Sequence, residues 1–185
     1  MQHLSNLCRQ GWKFFVGWLF FQLSRGLAPL QLMAPRMRCD VEHVRNGVVI
    51  WRGTFFNVVT TVGKTDILDK YLKGAAYTAA WYLGLAGAGT KAAGDTLASH
   101  AGWTEVTPYA GNRPSITWGT TSGGSNTATQ VSYSINAGAT VAGFFVCTAA
   151  SGTSGTMYNA VDFTGGSRAV VSGDTLNVTP TLTVS

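Results

Sequence analysis

Beyond residue 74 two runs of this chain carry apolar residues at every second position. Val131, Tyr133 and Ile135 alternate with Gln130, Ser132 and Ser134, and Leu176, Val178, Pro180, Leu182 and Val184 keep the same spacing. Successive side chains of an extended strand point to opposite faces, so period two gives one apolar and one wet face. Gly, Ser and Thr clusters between these runs bend the chain. Strands are expected near 78–85, 114–119, 129–136, 140–148, 156–161, 167–171 and 174–184. Many short strands between turn signals imply a mainly β chain, a β-sandwich or jelly-roll-like domain. Pro180 has no N–H for a sheet ladder, so the last strand is expected at an edge or bulged.

Two elements precede that pattern. In residues 38–56, Val41, His43 and Arg45 fall on one face of a β-prone run that meets a second run at Asn46-Gly47. Asn-Gly suits a two-residue type I′ turn, in which both positions need φ > 0, so an N-terminal hairpin is expected. His43, alone on a strand, reads as a surface or cross-strand residue rather than a ligand. Residues 65–74 then read as one short helix, with Thr65 as its cap and Gly74 as its stop. Asp66/Lys70 and Asp69/Lys73 are i,i+4 pairs, and Ile67, Leu68, Tyr71 and Leu72 form an apolar face.

The charge is unevenly placed. The net charge is +5, and Arg9, Lys13, Arg25, Arg36 and Arg38 all lie before the first acid, Asp40. From Asp40 onward there are eight bases and eight acids, Asp40 included, so the remainder is neutral and carries no basic stripe for nucleic acid. Residues 1–37 are basic and aromatic, and their apolar core, FFVGWLFF, is short of the ~20 residues that span a bilayer. This segment reads as an anchor, a leader or a mis-called start, with Met33 and Met37 as alternative starts. Membrane contact by residues 1–37 is a side expectation. Residues 38–185 read as a single β-rich domain.

Motifs for chemistry are missing. HExxH, GxSxG, CxxC and P-loop patterns are absent, and Cys8, Cys39 and Cys147 stand far apart. A Cys39–Cys147 bridge is open, but Cys147 reads more simply as a small buried hydrophobe in a strand. No cofactor, no metal and no catalytic residue is expected, and the chain does not read as an enzyme. The stretch DTLASHAGWTEVTPY, residues 95–109, holds an Asp, a Ser, a His and a Glu within eleven residues. Ser99 and His100 are neighbours, which does not place them in a triad. Asp95 and Glu105 alone do not make a glycosidase pair, which also needs a lined groove. The stretch therefore reads as a structural corner: Asp95 or Thr96 caps a turn, Gly102 breaks it, and Glu105 pairs with Arg113. The aromatic residues Trp81, Trp103, Tyr109 and Trp118 are the candidates for an interface or ligand-facing role, against the simpler alternative that most of them are core.

The run TVGKTDILDKYLKGAAYTAAWYLGLAGAG, followed by DTLASHAGWTE, INAGATVAGFF, GTMY and SGDTLNVT, resembles a family of small tailed-bacteriophage structural proteins. The resemblance spans about residues 45–185 and leaves residues 1–37 outside. It implies a non-enzymatic virion-associated protein, most simply a capsid decoration (cement) protein. A tail, neck or fibre component is the alternative. The implied partners are the major capsid protein or other phage structural proteins and further copies of the chain, in the virion and, during assembly, in the host cytoplasm. A separate alternative is a carbohydrate-binding or adhesin β-sandwich acting through the four aromatic residues.

Overall fold

A computed structural model describes residues 35–77 and 79–184, and among these described residues there are twelve strands and one helix. The expectations for residues 1–34 lie outside the described residues. The first strand begins at Pro35, a few residues before the expected start of the β-rich part at 38. The order is β1 (Pro35–Arg45), β2 (Val48–Phe56), β3 (Val58–Val59), α1 (Thr61–Leu72), β4 (Tyr82–Ala86) and β5 (Glu105–Val106). Then come β6 (Ser125–Thr127), β7 (Val131–Ser134), β8 (Ala139–Val141), β9 (Gly143–Cys147), β10 (Met157–Asp162), β11 (Arg168–Val170) and β12 (Thr175–Val184).

All pairings are antiparallel. One sheet runs β2-β1-β12-β6, with β7 also on β12; a second runs β3-β10-β9-β4-β5; β8 and β11 form a separate ribbon. The two large sheets share one core: Cys39, Val41, Tyr133, Leu176 and Val178 from the first meet Leu83, Leu85, Phe144, Val146 and Val161 from the second. This is the sandwich the period-two pattern implies. Tyr133 is fully inside, and its hydroxyl donates to the Leu83 carbonyl (2.7 Å), tying the sheets together by a hydrogen bond as well as by packing.

The second sheet is covered on both faces, which explains the unbroken apolar run in β9. Phe144 and Val146 enter the shared core, while Phe145 and Cys147 point the other way, into a smaller cluster with Leu97 and Trp103. Gly84 lies opposite Phe145 in the ladder, and a Cβ there would run into the Phe145 ring. Cys39 and Cys147 belong to different clusters and both are free thiols.

Several local expectations need correction. Asn46 and Gly47 both have positive φ (52° and 76°), as the hairpin requires. His43, however, is buried, with Nε2 2.7 Å from Asp174 Oδ2. Arg45 donates two hydrogen bonds to the same carboxylate (2.8 Å each), and the Val171 amide donates a third (2.9 Å). His43 thus helps hold the end of β1 to the turn before β12. The helix starts four residues earlier than expected, because Thr60, not Thr65, caps it by accepting from the Gly63 amide (3.0 Å). Residues 114–119 form only isolated bridges, at Ser115 and Trp118. The strand with Pro180 is central, not an edge, and its ladder with β1 runs unbroken through Cys39↔Pro180. The Pro180 carbonyl accepts from Ala128, on the side where β7 covers residues 175–178 and β6 covers 181–183. A strand residue's N and C=O point the same way, so the missing N–H falls in the gap between those two short strands.

Candidate functional site

Polar stretch 95–109 folds back on itself. Trp103 is 3% exposed, and its indole N–H donates to Asp95 (2.8 Å), whose same oxygen also accepts from the Ala92 amide (2.9 Å). The His100 ring stacks on Trp103 (centroids 4.2 Å apart, 21° between planes), and its Nδ1 lies 3.0 Å from the Trp103 carbonyl oxygen. Thr96 closes the turn by accepting from the Ser99 amide (3.0 Å). Lys91 is buried beside them. Its ammonium reaches the carbonyls of Gly87 (2.8 Å) and Gly89 (3.1 Å) and the carboxylate of Asp162 (2.6 Å), matching its three donors. Arg113 grips Glu105 with two 2.7 Å bonds, as the sequence suggested, and also donates to the carbonyls of Ala149 and Gly152 (2.9 Å each). The acids, the bases and the histidine of this stretch are thus bound to one another or to backbone. Their arrangement fastens residues 87–104 over the outer face of the second sheet.

Two of the four nominated aromatic residues therefore need correction. Trp103 and Tyr109 do not face outward. Trp103 packs on Phe145 (centroids 5.3 Å apart), and Tyr109, 8% exposed, packs on Tyr133 (4.9 Å). Burial, then the nearby Glu105 carboxylate, pushes the Tyr109 phenol up to about 12. Large rings beside a sheet that must be covered contribute more by leaving water than by staying in it.

Trp81 and Trp118 are half-buried and line one cleft, with a volume of about 570 Å³. One wall is α1, which presents Asp66, Ile67, Lys70 and Tyr71. The opposite wall is residues 118–126 with the end of β12, Leu182 and Val184, and the floor is Val146 and Tyr158. Trp81 is held by its N–H, which donates to the Tyr77 hydroxyl (2.7 Å), and by an edge contact with Tyr158 (5.6 Å, 74°). Lys70 pairs with Asp66 (3.0 Å) and sits 5.2 Å from the centre of the Tyr77 ring. The Tyr158 hydroxyl is buried and has no hydrogen-bond partner among the described residues. Desolvation lifts its phenol to about 12, so it stays protonated and cannot serve as a base at neutral pH. The cleft offers aromatic faces, aliphatic walls and a few polar groups, the usual make-up of a binding site.

No direct sign of the cleft is legible in the sequence, because its lining comes from α1, residues 77–81, residues 118–126, β9, β10 and the end of β12. Tyr71, Tyr77 and Tyr158 were missed; the AYTAAWY run, with two aromatic residues four apart, was the available signal. Among the described residues no cluster of His, Cys, Asp or Glu is arranged to hold a metal ion. No helix among them is long and apolar enough to cross a membrane. No protein-family model matches the chain, and no curated protein is significantly similar to it.

Proposed function

We propose that this chain is a non-enzymatic structural protein of a tailed-phage particle, and that it acts by binding a neighbouring protein of that particle. The observation that carries this reading is the cleft around Trp81 and Trp118. It opens beside the exposed apolar residues of α1, whereas the charged side chains of residues 87–113 are spent on internal pairing. An aromatic cleft next to exposed apolar surface is the kind of surface that anchors a protein partner. The sequence resemblance over residues 45–185 supplies the particle. Capsid decoration is the favoured role, with the major capsid protein as partner; a tail, neck or fibre position is the alternative.

Mass spectrometry of virions purified from the encoding phage tests the proposal. A copy number close to that of the major capsid protein is the expected result. A few copies per particle would move the protein to the tail, neck or fibre, and complete absence would overturn the proposal.

The cleft also favours a second reading, a carbohydrate-binding module, because Trp and Tyr faces stack on sugar rings. Trp81 and Trp118 would carry it without Trp103 and Tyr109. A glycan array probed with the protein and with Trp81→Ala separates the readings: binding lost in the variant supports the sugar, and no binding by either protein removes it.

A further inference from the structure

We propose that the exposed face of α1 is a contact between two copies of this chain, with the two helices packed antiparallel about a two-fold axis. The helix is anomalous as a surface element. It has twelve residues, a length at which an isolated helix is marginal in water and depends on packing. Yet the one buried residue it contributes is Gly63, pressed so close to the Tyr158 backbone that a Cβ would collide with the Tyr158 carbonyl. Its apolar residues point the other way: Leu68 is 53% exposed, Leu72 71% and Tyr71 86%. Residues four apart lie about 40° from each other around a helix, so Leu68 and Leu72 form one stripe, with Tyr71 beside it. Gly63, Asp66 and Lys70 lie on the opposite side, towards the sandwich and the cleft.

Charge decides the occupant. Asp69 and Lys73 flank the stripe on one side and pair within the helix at 2.7 Å. About a two-fold axis level with residue 71, an antiparallel pair of helices interleaves Leu68 and Leu72 with Leu72 of the partner subunit. The same operation sets Asp69 beside Lys73 of the partner subunit, and the reverse. A parallel pair would instead put this flank on opposite sides of the contact, where its two charges do not meet. The face is therefore complementary to itself, which is what an isologous contact requires. The inference does not rest on the phage reading.

Light scattering coupled to size exclusion on the full chain tests it. The wild type is expected at the mass of a dimer. Asp69→Lys makes the flank wholly basic and Lys73→Asp makes it wholly acidic, so each variant alone should associate about tenfold or more weakly. An equimolar mixture of the two should regain the dimer, because opposite charges meet again. Circular dichroism of each variant checks that the fold persists, and Leu68→Glu with Leu72→Glu should abolish the dimer without mixing. A monomeric wild type would overturn the proposal and leave the face to a different protein. An oligomer that these substitutions leave intact, or a mixture that fails to restore it, would overturn it too.

Discussion

Residues 87–109 and helix α1 both lie against the sheet of β3, β10, β9, β4 and β5, and they use their side chains in opposite ways. The first segment carries His, Asp, Glu, Lys and Trp, the residue types of an active site, and folds them inward. Lys91, Trp103 and Arg113 find acceptors there, which offsets the cost of leaving water, while the buried Tyr109 hydroxyl has no partner among the described residues. Helix α1 carries an ordinary amphipathic pattern and exposes its apolar half. The chemistry-bearing side chains thus serve the fold, while the plain hydrophobic ones are left free to meet something else. Residue type alone would have assigned these roles the other way round.

The strongest way to break this contrast is to remove the centre of the clamp. Trp103→Ala deletes a buried ring and leaves Asp95 without its indole donor. The expected loss of stability is about 3–5 kcal/mol, read from urea denaturation. Trp103→Phe keeps most of the ring and should cost about 1–3 kcal/mol for the missing hydrogen bond. A loss well under 1 kcal/mol for the alanine variant would show that residues 87–104 do not act as a structural cover.

A smaller, pH-dependent effect is expected at the turn before β12, in the first sheet. The Arg45 guanidinium, the Val171 amide and His43 hold the Asp174 carboxyl well below the usual carboxylate range, against the cost of its burial. A depressed folded-state value means that the charged form is bound more tightly in the native protein. Its contribution is present above the unfolded carboxyl's pKa of about 4 and is lost as the pH falls below that. Denaturation midpoints should drop steeply from about pH 4 downward. Asp174→Asn should be less stable at pH 7, by about 2–3 kcal/mol, and should show a flatter acid limb. An unchanged acid limb in the variant would place the acid sensitivity in other carboxylates.

The parts of this molecule that the sequence disclosed are those fixed by neighbours in the chain. The Asn46-Gly47 hairpin, the alternation in β7 and β12 and the two i,i+4 pairs of α1 each depend on a few consecutive residues. What stayed hidden depends on partners far away. The burial of His43, read as a surface or cross-strand residue, was hidden because its partner, Asp174, is 131 positions distant. Pro180 reads as the mark of an edge or a bulge because the gap between β6 and β7 that admits it is a property of the sheet, not of the strand. The exposure of Leu68 and Leu72 was hidden for the same reason: an apolar stripe on a helix does not say which way the helix is turned. Gly63, whose lack of a side chain brings its own face of the helix against β10, was the residue that could have said so.

The smallest expected effect is therefore also the most informative about the second region. Leu68→Ala should change the stability of the isolated subunit by no more than about 0.5 kcal/mol, as for substitutions at exposed positions. The measurement belongs at concentrations low enough to keep copies apart. Leu97→Ala, in the buried cluster under residues 87–104, should cost about 2–5 kcal/mol in the same experiment. These are leucines of identical chemistry on two coverings of one sheet, so the difference isolates their placement. Equal losses at the two sites would mean that the face of α1 is already covered within the subunit. The antiparallel contact between copies would then have no free surface to use.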